Sequence, residues 1–260
     1  MKKKAKTLTA KEKVGAFFEL YEVGRMDFKN TDWKTGEYRD FLLYLESLGE
    51  EKYKKFSSSL IPGDTEMFGI RIPTVRKIAK EILKTNPEKY LMAKKGDIHE
   101  EVIIEGLVLS GRKSDYAEIL EDMKYFSARI YNWANCDSIT FKGVKNHREK
   151  FIKDVDWFLE NPNPWAKRMG ILHLMNFYLD SDYIDIALEK VESVKSEFYY
   201  VEMMQAWFLA TAFVKGREET LLSLERGNFS DRVMNMAVRK IRESLRISRE
   251  DKELVLKFKR

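Results

Sequence analysis

Several residue types that carry chemistry are scarce in this sequence. It has one cysteine, Cys136, among 260 residues, which excludes a disulfide framework and any zinc or iron–sulfur site built from several cysteines. This usage fits the reducing cytosol, so we expect a cytoplasmic protein. The three histidines, His99, His147 and His173, are dispersed and show no metal-ligand spacing. We interpret Cys136 as structural, because no histidine lies nearby in sequence, and His173 as a residue of the core, because it lies in an apolar helix.

Turn residues and long hydrophobic runs are also rare. Five prolines and 13 glycines are too few for an all-β fold of many short strands. The most apolar stretch, 198–214, is interrupted by Glu202 and Gln205 and is too short to span a bilayer easily. The basic N-terminus is followed by VGAFFELYEV, which contains two glutamates and no small-residue cleavage pattern. We therefore expect neither a membrane segment nor a signal peptide.

Positive charge is concentrated at the two ends of the chain. Residues 1–15 hold six lysines against one glutamate, and residues 231–260 hold ten Lys or Arg against five acidic residues. Residues 16–230 therefore carry a net charge of −5 within a total of +5. A basic total favours an acidic partner such as nucleic acid, provided that the basic side chains gather on one face. The simpler interpretation is that both ends are solvated tails.

Helical periodicity dominates the sequence, and no segment reads convincingly as a strand. Phe41, Leu42, Leu45 and Leu48 form one apolar stripe, whereas IPGDTEMFGIRIP (61–73) reads as a loop that ends at a helix start. The predicted helices are 10–23, 38–56, 73–84, 99–112, 115–126, 128–142, 147–160, 164–179, 182–194, 198–214, 217–225, 230–245 and 249–258.

The lengths and spacing of these helices predict the architecture. Helices of about 10–17 residues, two in roughly every 35–40 residues, indicate an all-α protein, an α-solenoid of HEAT-like helical repeats curved around a concave groove. An irregular all-α bundle is the alternative, because the internal sequence similarity is weak. Residues 1–36 have a different, Lys-rich composition, so we divide the chain into an N-terminal basic extension, 1–36, and a repeat domain, 37–260.

Four residues that are distant in sequence form the candidate site. Trp133 and Asp137 are four residues apart and share one side of a helix. Burial of an unpaired carboxylate is costly, so Asp137 needs a cation or an opening to solvent. Arg168, in a mostly apolar helix, and Trp207 follow at the spacing of successive two-helix repeats, which places all four residues on one face. Alternatively, Asp137 caps a local turn and the tryptophans belong to the core.

With these residues, the sequence resembles the DNA alkylation repair enzyme family, the AlkD-like glycosylases built from HEAT-like repeats. The resemblance covers roughly residues 38–245 and rests, in this order, on FGIRIPTVRKIAKEI (68–82), WANCD (133–137), PWAKRMGIL (164–172) and QAWFL (205–209). Carried over by these motifs, it implies catalytic roles for Asp137, Trp133 and Trp207, and DNA binding by Arg168, Arg76, Lys80 and Tyr53.

The resemblance also implies an activity. It predicts a monofunctional DNA glycosylase of base excision repair that releases positively charged alkylated purines, 3-methyladenine and 7-methylguanine, from double-stranded DNA. We expect it to act as a monomer without a cofactor or metal ion. The alternative is a non-catalytic HEAT-like repeat protein that binds DNA structures or a protein partner. Asn176 and Ala210, which stand where glycosylases of the family can carry basic residues, favour this alternative, whereas the retained acid Asp137 favours the glycosylase.

Overall fold

The computed structural model describes residues 26–260, which form helices and their connections without a strand. The prediction of an all-α protein is therefore confirmed, and the predicted helix 10–23 lies outside the described residues. The described residues divide into two compact units, one that ends at Ile104 and one that spans Glu105–Arg260. Among the described helices, none has the length and apolar character needed to cross a membrane. The boundary after residue 36 stays a prediction.

The first unit has an aromatic core. The ring of Trp33, which is almost fully buried, meets Phe41 edge-on at 5.2 Å and Tyr90 at 4.9 Å between ring centroids. Its helices are α1 (Thr35–Ser47), α2 (Glu51–Leu60), α3 (Ile72–Lys84), α4 (Pro87–Met92) and the first part of α5 (His99–Gly111).

A buried glutamate fixes the loop that precedes α3. The carboxylate of Glu100 accepts hydrogen bonds from the backbone N–H groups of Phe68, Gly69 and Ile70, at 2.9, 2.7 and 2.9 Å. Gly69 has a φ of +86°, and a Cβ there would lie 2.6 Å from the Cβ of Lys54. Both the backbone conformation and the close approach therefore require glycine at this position.

The predicted helix 38–56 is wrong as a continuous element, because the loop that precedes α3 contacts the chain between α1 and α2. The chain leaves the helix at Leu48–Glu50, where the N–H of Glu50 donates to the carbonyl of Gly69 at 3.1 Å. At Gly49, a Cβ would lie 2.4 Å from the carbonyl oxygen of Phe68. A tertiary contact of the backbone thus ends α1, although the local apolar pattern continues.

The second unit is a two-layered stack of helices. In one layer α10 packs on α12 and α12 on α14; in the other, α9 packs on α11 and α11 on α13. From α9 to α13, each helix also contacts the next one across the layers, which is the arrangement of helical repeats. The elements are α6 (Tyr116–Arg129), α7 (Trp133–Asp137), α8 (Arg148–Asp154), α9 (Asp156–Leu159), α10 (Pro164–Phe177), α11 (Ile184–Ser193), α12 (Tyr199–Lys215), α13 (Arg217–Arg226), α14 (Asp231–Glu243), α15 (Arg249–Leu254), and 3-10 helices at Lys142–His147 and Val255–Phe258.

Three short elements differ from the predictions. The predicted helix 128–142 is wrong as one element, because α6 ends at Arg129, Asn132 adopts the extended backbone of a new N-cap, and the helix that it starts covers only Trp133–Asp137. The predicted helix 147–160 consists of α8 and α9. The helix Pro87–Met92 was not predicted; Asn86 caps it by accepting a hydrogen bond from the Lys89 N–H.

His173 joins α10 to the segment that follows α7. Its Nε2 accepts a hydrogen bond from the Phe141 N–H at 3.1 Å, so its Nδ1 carries the proton and donates to the Met169 carbonyl at 2.8 Å. The side chain is fully buried, as predicted. Burial lowers the pKa of His173 to about 4, because the charged imidazole loses its hydration.

This shift predicts an acid sensitivity of the fold. The folded-state pKa of about 4 lies below the ordinary 6.5, so the stabilising contribution is present above pH 6.5 and is lost as the pH falls towards 4. We expect His173 to account for a loss of about 2 kcal/mol of unfolding free energy between pH 7 and 5. His173→Gln should lack this part of the loss and His147→Gln should retain it, as measured by urea unfolding. Equal pH dependence in wild type and His173→Gln would contradict the assignment.

Candidate active site

A bidentate ion pair brings Asp137 and Arg168 together. The Nε of Arg168 donates to Oδ1 of Asp137 at 3.0 Å, and Nη2 donates to Oδ2 at 2.7 Å. The Arg168 side chain is 4% exposed and that of Asp137 is 18% exposed. The sequence suggested that Asp137 needs a cation or an opening to solvent, and it has both.

The short helix α7 positions Asp137 as its last residue. Its first turn is capped by Asn132, whose side-chain oxygen accepts a hydrogen bond from the Asn135 N–H at 2.9 Å. Cys136 is buried beside it, and burial together with the neighbouring Asp137 carboxylate raises the pKa of the thiol. Cys136 therefore stays protonated and serves as a packing residue, as the sequence indicated.

Helix α10 positions the arginine. Asn163 caps this helix by accepting from the Trp165 N–H at 2.9 Å, and Pro164 occupies its first position. One turn later, Arg168 donates through Nη1 to the carbonyl oxygen of Tyr200. The guanidinium, carried by α10, thus bonds to a side chain of α7 and to a backbone carbonyl of α12. These bonds place Arg168 against Asp137 and Tyr200, and the contact with the DNA backbone that the resemblance implied for Arg168 stays a prediction.

An aromatic cluster supports the Tyr200 carbonyl, and the sequence reasoning missed it. Trp165 stacks on Tyr200 with 5.4 Å between the ring centroids, and Phe198 meets Trp165 edge-on at 5.3 Å. Tyr199, next in the chain, is exposed. The sequence features that indicate this cluster are the run FYY at 198–200, just before the QAWFL motif, and the tryptophan that follows Pro164.

The two predicted catalytic tryptophans have different environments. Trp133 is the first residue of α7, partly buried and one turn before Asp137. Trp207 lies on α12 and is 39% exposed, so it is not a core residue. Because Trp207 follows Tyr200 by seven residues, the two share one side of α12, two turns apart.

Two of the three predicted DNA-binding residues of the first unit are accessible to solvent. Arg76 and Lys80 are exposed on one side of α3, and neither forms an ion pair with another residue in the range 26–260. Tyr53 is partly buried, and the guanidinium of Arg71 lies 5.1 Å above its ring. Arg71 in turn forms a bidentate ion pair with Glu50.

Comparison with known proteins gives a match to a family. Residues 42–198 match the family described as DNA alkylation repair enzyme. The chain belongs to this family. The matched range includes Trp133, Asp137 and Arg168, whereas Trp207 lies beyond its end. No curated protein and no solved structure matches the chain.

In this member of the DNA alkylation repair enzyme family, the ion pair leaves the carboxylate able to bind a further group. A carboxylate accepts about four hydrogen bonds, and Arg168 occupies one position on each oxygen of Asp137. The remaining positions are open to water or a ligand through the exposed part of the side chain. In the range 26–260, no group of three His, Cys, Asp or Glu side chains is arranged to hold a metal ion.

The buried guanidinium predicts a large cost for removing its charge. Arg168→Gln leaves Asp137 without its cation, and we expect the free energy of unfolding to fall by about 3 kcal/mol, the low end for a buried pair because the Asp137 side chain is 18% exposed. A double-mutant cycle with Asp137→Asn should show that the two substitutions are less than additive.

The matched control is Arg71→Gln, which breaks an ion pair of the same bidentate geometry between half-exposed side chains. It should cost far less than Arg168→Gln, because solvent screens an exposed pair. Equal losses for Arg168→Gln and Arg71→Gln in chemical unfolding would show that Arg168 does not anchor the site.

Proposed function

We propose that the protein is a monofunctional DNA glycosylase that releases cationic alkylated purines, 3-methyladenine and 7-methylguanine, from double-stranded DNA. The observation that carries this proposal is the carboxylate of Asp137, held in one orientation by Arg168 yet partly accessible to solvent. Membership of the DNA alkylation repair enzyme family supplies the class of substrate.

The chemistry of the lesion explains why a lone carboxylate suffices. Alkylation at N3 of adenine or N7 of guanine makes the base positively charged and weakens its bond to the sugar. Such a base leaves without being protonated, so the site needs no general acid, and His173 is buried and neutral. As the bond breaks, positive charge develops on the sugar, and Asp137 stabilises it and orients the attacking water.

Arg168 acts in this proposal by positioning Asp137. Its Nε and Nη2 are bonded to the carboxylate and its Nη1 to the Tyr200 carbonyl, so three of its five N–H groups hold the acid in place. The positive charge of the Arg168 guanidinium also weakens the attraction of the Asp137 carboxylate for a cation. Because Coulomb energy varies inversely with distance, a sugar cation about 4 Å from the carboxylate and about 8 Å from the guanidinium retains about half of the attraction.

The tryptophans add selectivity for positive charge. The face of an indole attracts a cation by about 0.5 to 2 kcal/mol, more as water is removed. Trp207 offers an exposed ring for this contact, and Trp133 lies one turn from the acid on α7. Both contacts favour a charged lesion over an undamaged nucleotide.

A non-catalytic role in binding DNA or a protein is the second candidate. The observation that favours it is the ion pair itself, because a carboxylate bonded on both oxygens to a buried arginine is also what a purely structural contact requires. The two functions differ in whether the acid is needed for base release.

Asp137→Asn separates these functions. We expect wild type to release 3-methyladenine and 7-methylguanine from methylated duplex DNA well above the buffer rate. Asp137→Asn should reduce release to the buffer level, because the amide cannot stabilise the sugar cation, while DNA binding persists. Chromatography of the released bases and fluorescence anisotropy with labelled duplex measure the two properties.

Two further variants guard against loss of folding. Asp156→Asn removes a carboxylate that pairs with Lys190 elsewhere in the second unit, and it should release base at the wild-type rate. Trp207→Ala changes an exposed side chain and should lower release without lowering the melting temperature. Wild type that releases no more base than buffer would end the glycosylase proposal and leave the binding role.

Arg76 and Lys80 are proposed to bind the DNA backbone. Replacing either by alanine should weaken binding to all sequences alike and reduce the slope of log K against log salt concentration by about 1 for each phosphate that is no longer neutralised. Lys84→Ala is the control, because Lys84 is engaged with Glu81 on the same helix. Unchanged salt slopes in Arg76→Ala and Lys80→Ala would show that DNA does not contact this side of α3.

A further inference from the structure

Part of the C-terminal positive charge is presented by α14 on a single face. The buried side of this helix, with Val233, Met234, Ala237, Val238 and Ile241, packs into the unit. Arg239 lies at the middle of the opposite, exposed side, two turns after Arg232. The sequence identified the C-terminal excess of charge, and the proposed function leaves it unused.

Contacts at the start of α14 establish its register against α12. The guanidinium of Arg232 lies 5.5 Å above the ring of Tyr199 and 3.1 Å from Oε2 of Glu202. The first turns of the two helices are therefore side by side. Since α12 and α14 pack on each other and α13 returns the chain between them, both helices run in the same direction.

This register places Arg239 level with the exposed indole. Seven residues, or two turns and about 10 Å, separate Arg232 from Arg239 on α14. The same seven residues separate Tyr200 from Trp207 on α12. Arg239 and Trp207 consequently lie at matching heights on neighbouring helices, and both are exposed.

The guanidinium of Arg239, unlike those of the nearby arginines on α14, lies within ion-pair distance of no carboxylate of the described residues. Arg232 pairs with Glu202 and Arg242 is directed towards Glu253 at 4.0 Å. Arg239 forms no ion pair and lies over no aromatic ring within the described part of the chain. An exposed guanidinium beside an exposed indole matches a ligand that offers a phosphate next to an apolar or cationic group, as a nucleotide within DNA does.

We propose that Arg239 binds a backbone phosphate of the DNA whose damaged nucleotide lies against Trp207. This inference rests on the proposed function for the nature of the ligand. It adds a binding residue in the last repeat, and the contact fixes the strand relative to the aromatic wall and carries no base specificity.

Salt-dependent binding of a fluorescent duplex tests the contact. We expect Arg239→Ala to weaken binding by about threefold to fivefold at fixed moderate salt and to reduce the slope of log K against log salt concentration by about 0.9. Arg239→Lys should retain most of the slope, because a phosphate requires only a cation. Arg242→Ala, with the same change of charge one turn further along the helix, should have less than half of the effect.

Base release, measured in parallel, separates this inference from the proposed function. If wild type binds and releases base but Arg239→Ala and Arg242→Ala have equal slopes, the inference is wrong and the glycosylase proposal stands. If wild type binds without releasing base and Arg239→Ala alone reduces the slope, the phosphate contact stands and the glycosylase proposal is wrong. Absence of salt-dependent binding by wild type would overturn the inference.

Discussion

The structure of the second unit depends on satisfying one buried guanidinium. An arginine with 4% of its side chain exposed is tolerated only when its charge is paired and its N–H groups are bonded. Arg168 pairs its charge with Asp137 from α7 and donates three N–H groups, two to that carboxylate and one to the Tyr200 carbonyl from α12. Three helices that are separate in sequence are therefore fixed together at this point, and the acid acquires a single orientation as a consequence.

Helix α10, which carries Arg168, stabilises the site through a second residue. Five residues after Arg168, His173 accepts the Phe141 N–H, so α10 holds α7 at its last residue and again at the segment that follows. A helix of five residues has little stability of its own. Its geometry is instead imposed by α10, which gives the carboxylate the rigidity that electrostatic catalysis requires.

The long amphipathic helices were predictable because their apolar spacing is a local property of the sequence. The interruptions were not, since the end of α1 depends on a backbone hydrogen bond from Glu50 to Gly69, and the start of α7 depends on the cap formed by Asn132. Within the site, repeat spacing placed Arg168 near Asp137. It did not reveal their bidentate pairing or the Tyr200 acceptor, because a backbone carbonyl leaves no trace in residue type.

The net charge of −5 over residues 16–230 misrepresents the surface that DNA would meet. Several of its carboxylates are buried and already bonded. Glu100 accepts three backbone N–H groups, Glu105 is bonded to Arg129 and Tyr125, and Glu192 is bonded to Arg226. A phosphate at the surface cannot approach these groups closely, and salt screens charges beyond about 10 Å. The pairs of Glu105 with Arg129 and of Glu192 with Arg226 add no net charge, and Glu100 is withdrawn from the surface. Arg76 and Lys80, by contrast, are exposed, so α3 offers positive charge to a phosphate although the sum over 16–230 is negative. An acidic middle of the chain is thus compatible with a DNA-binding face.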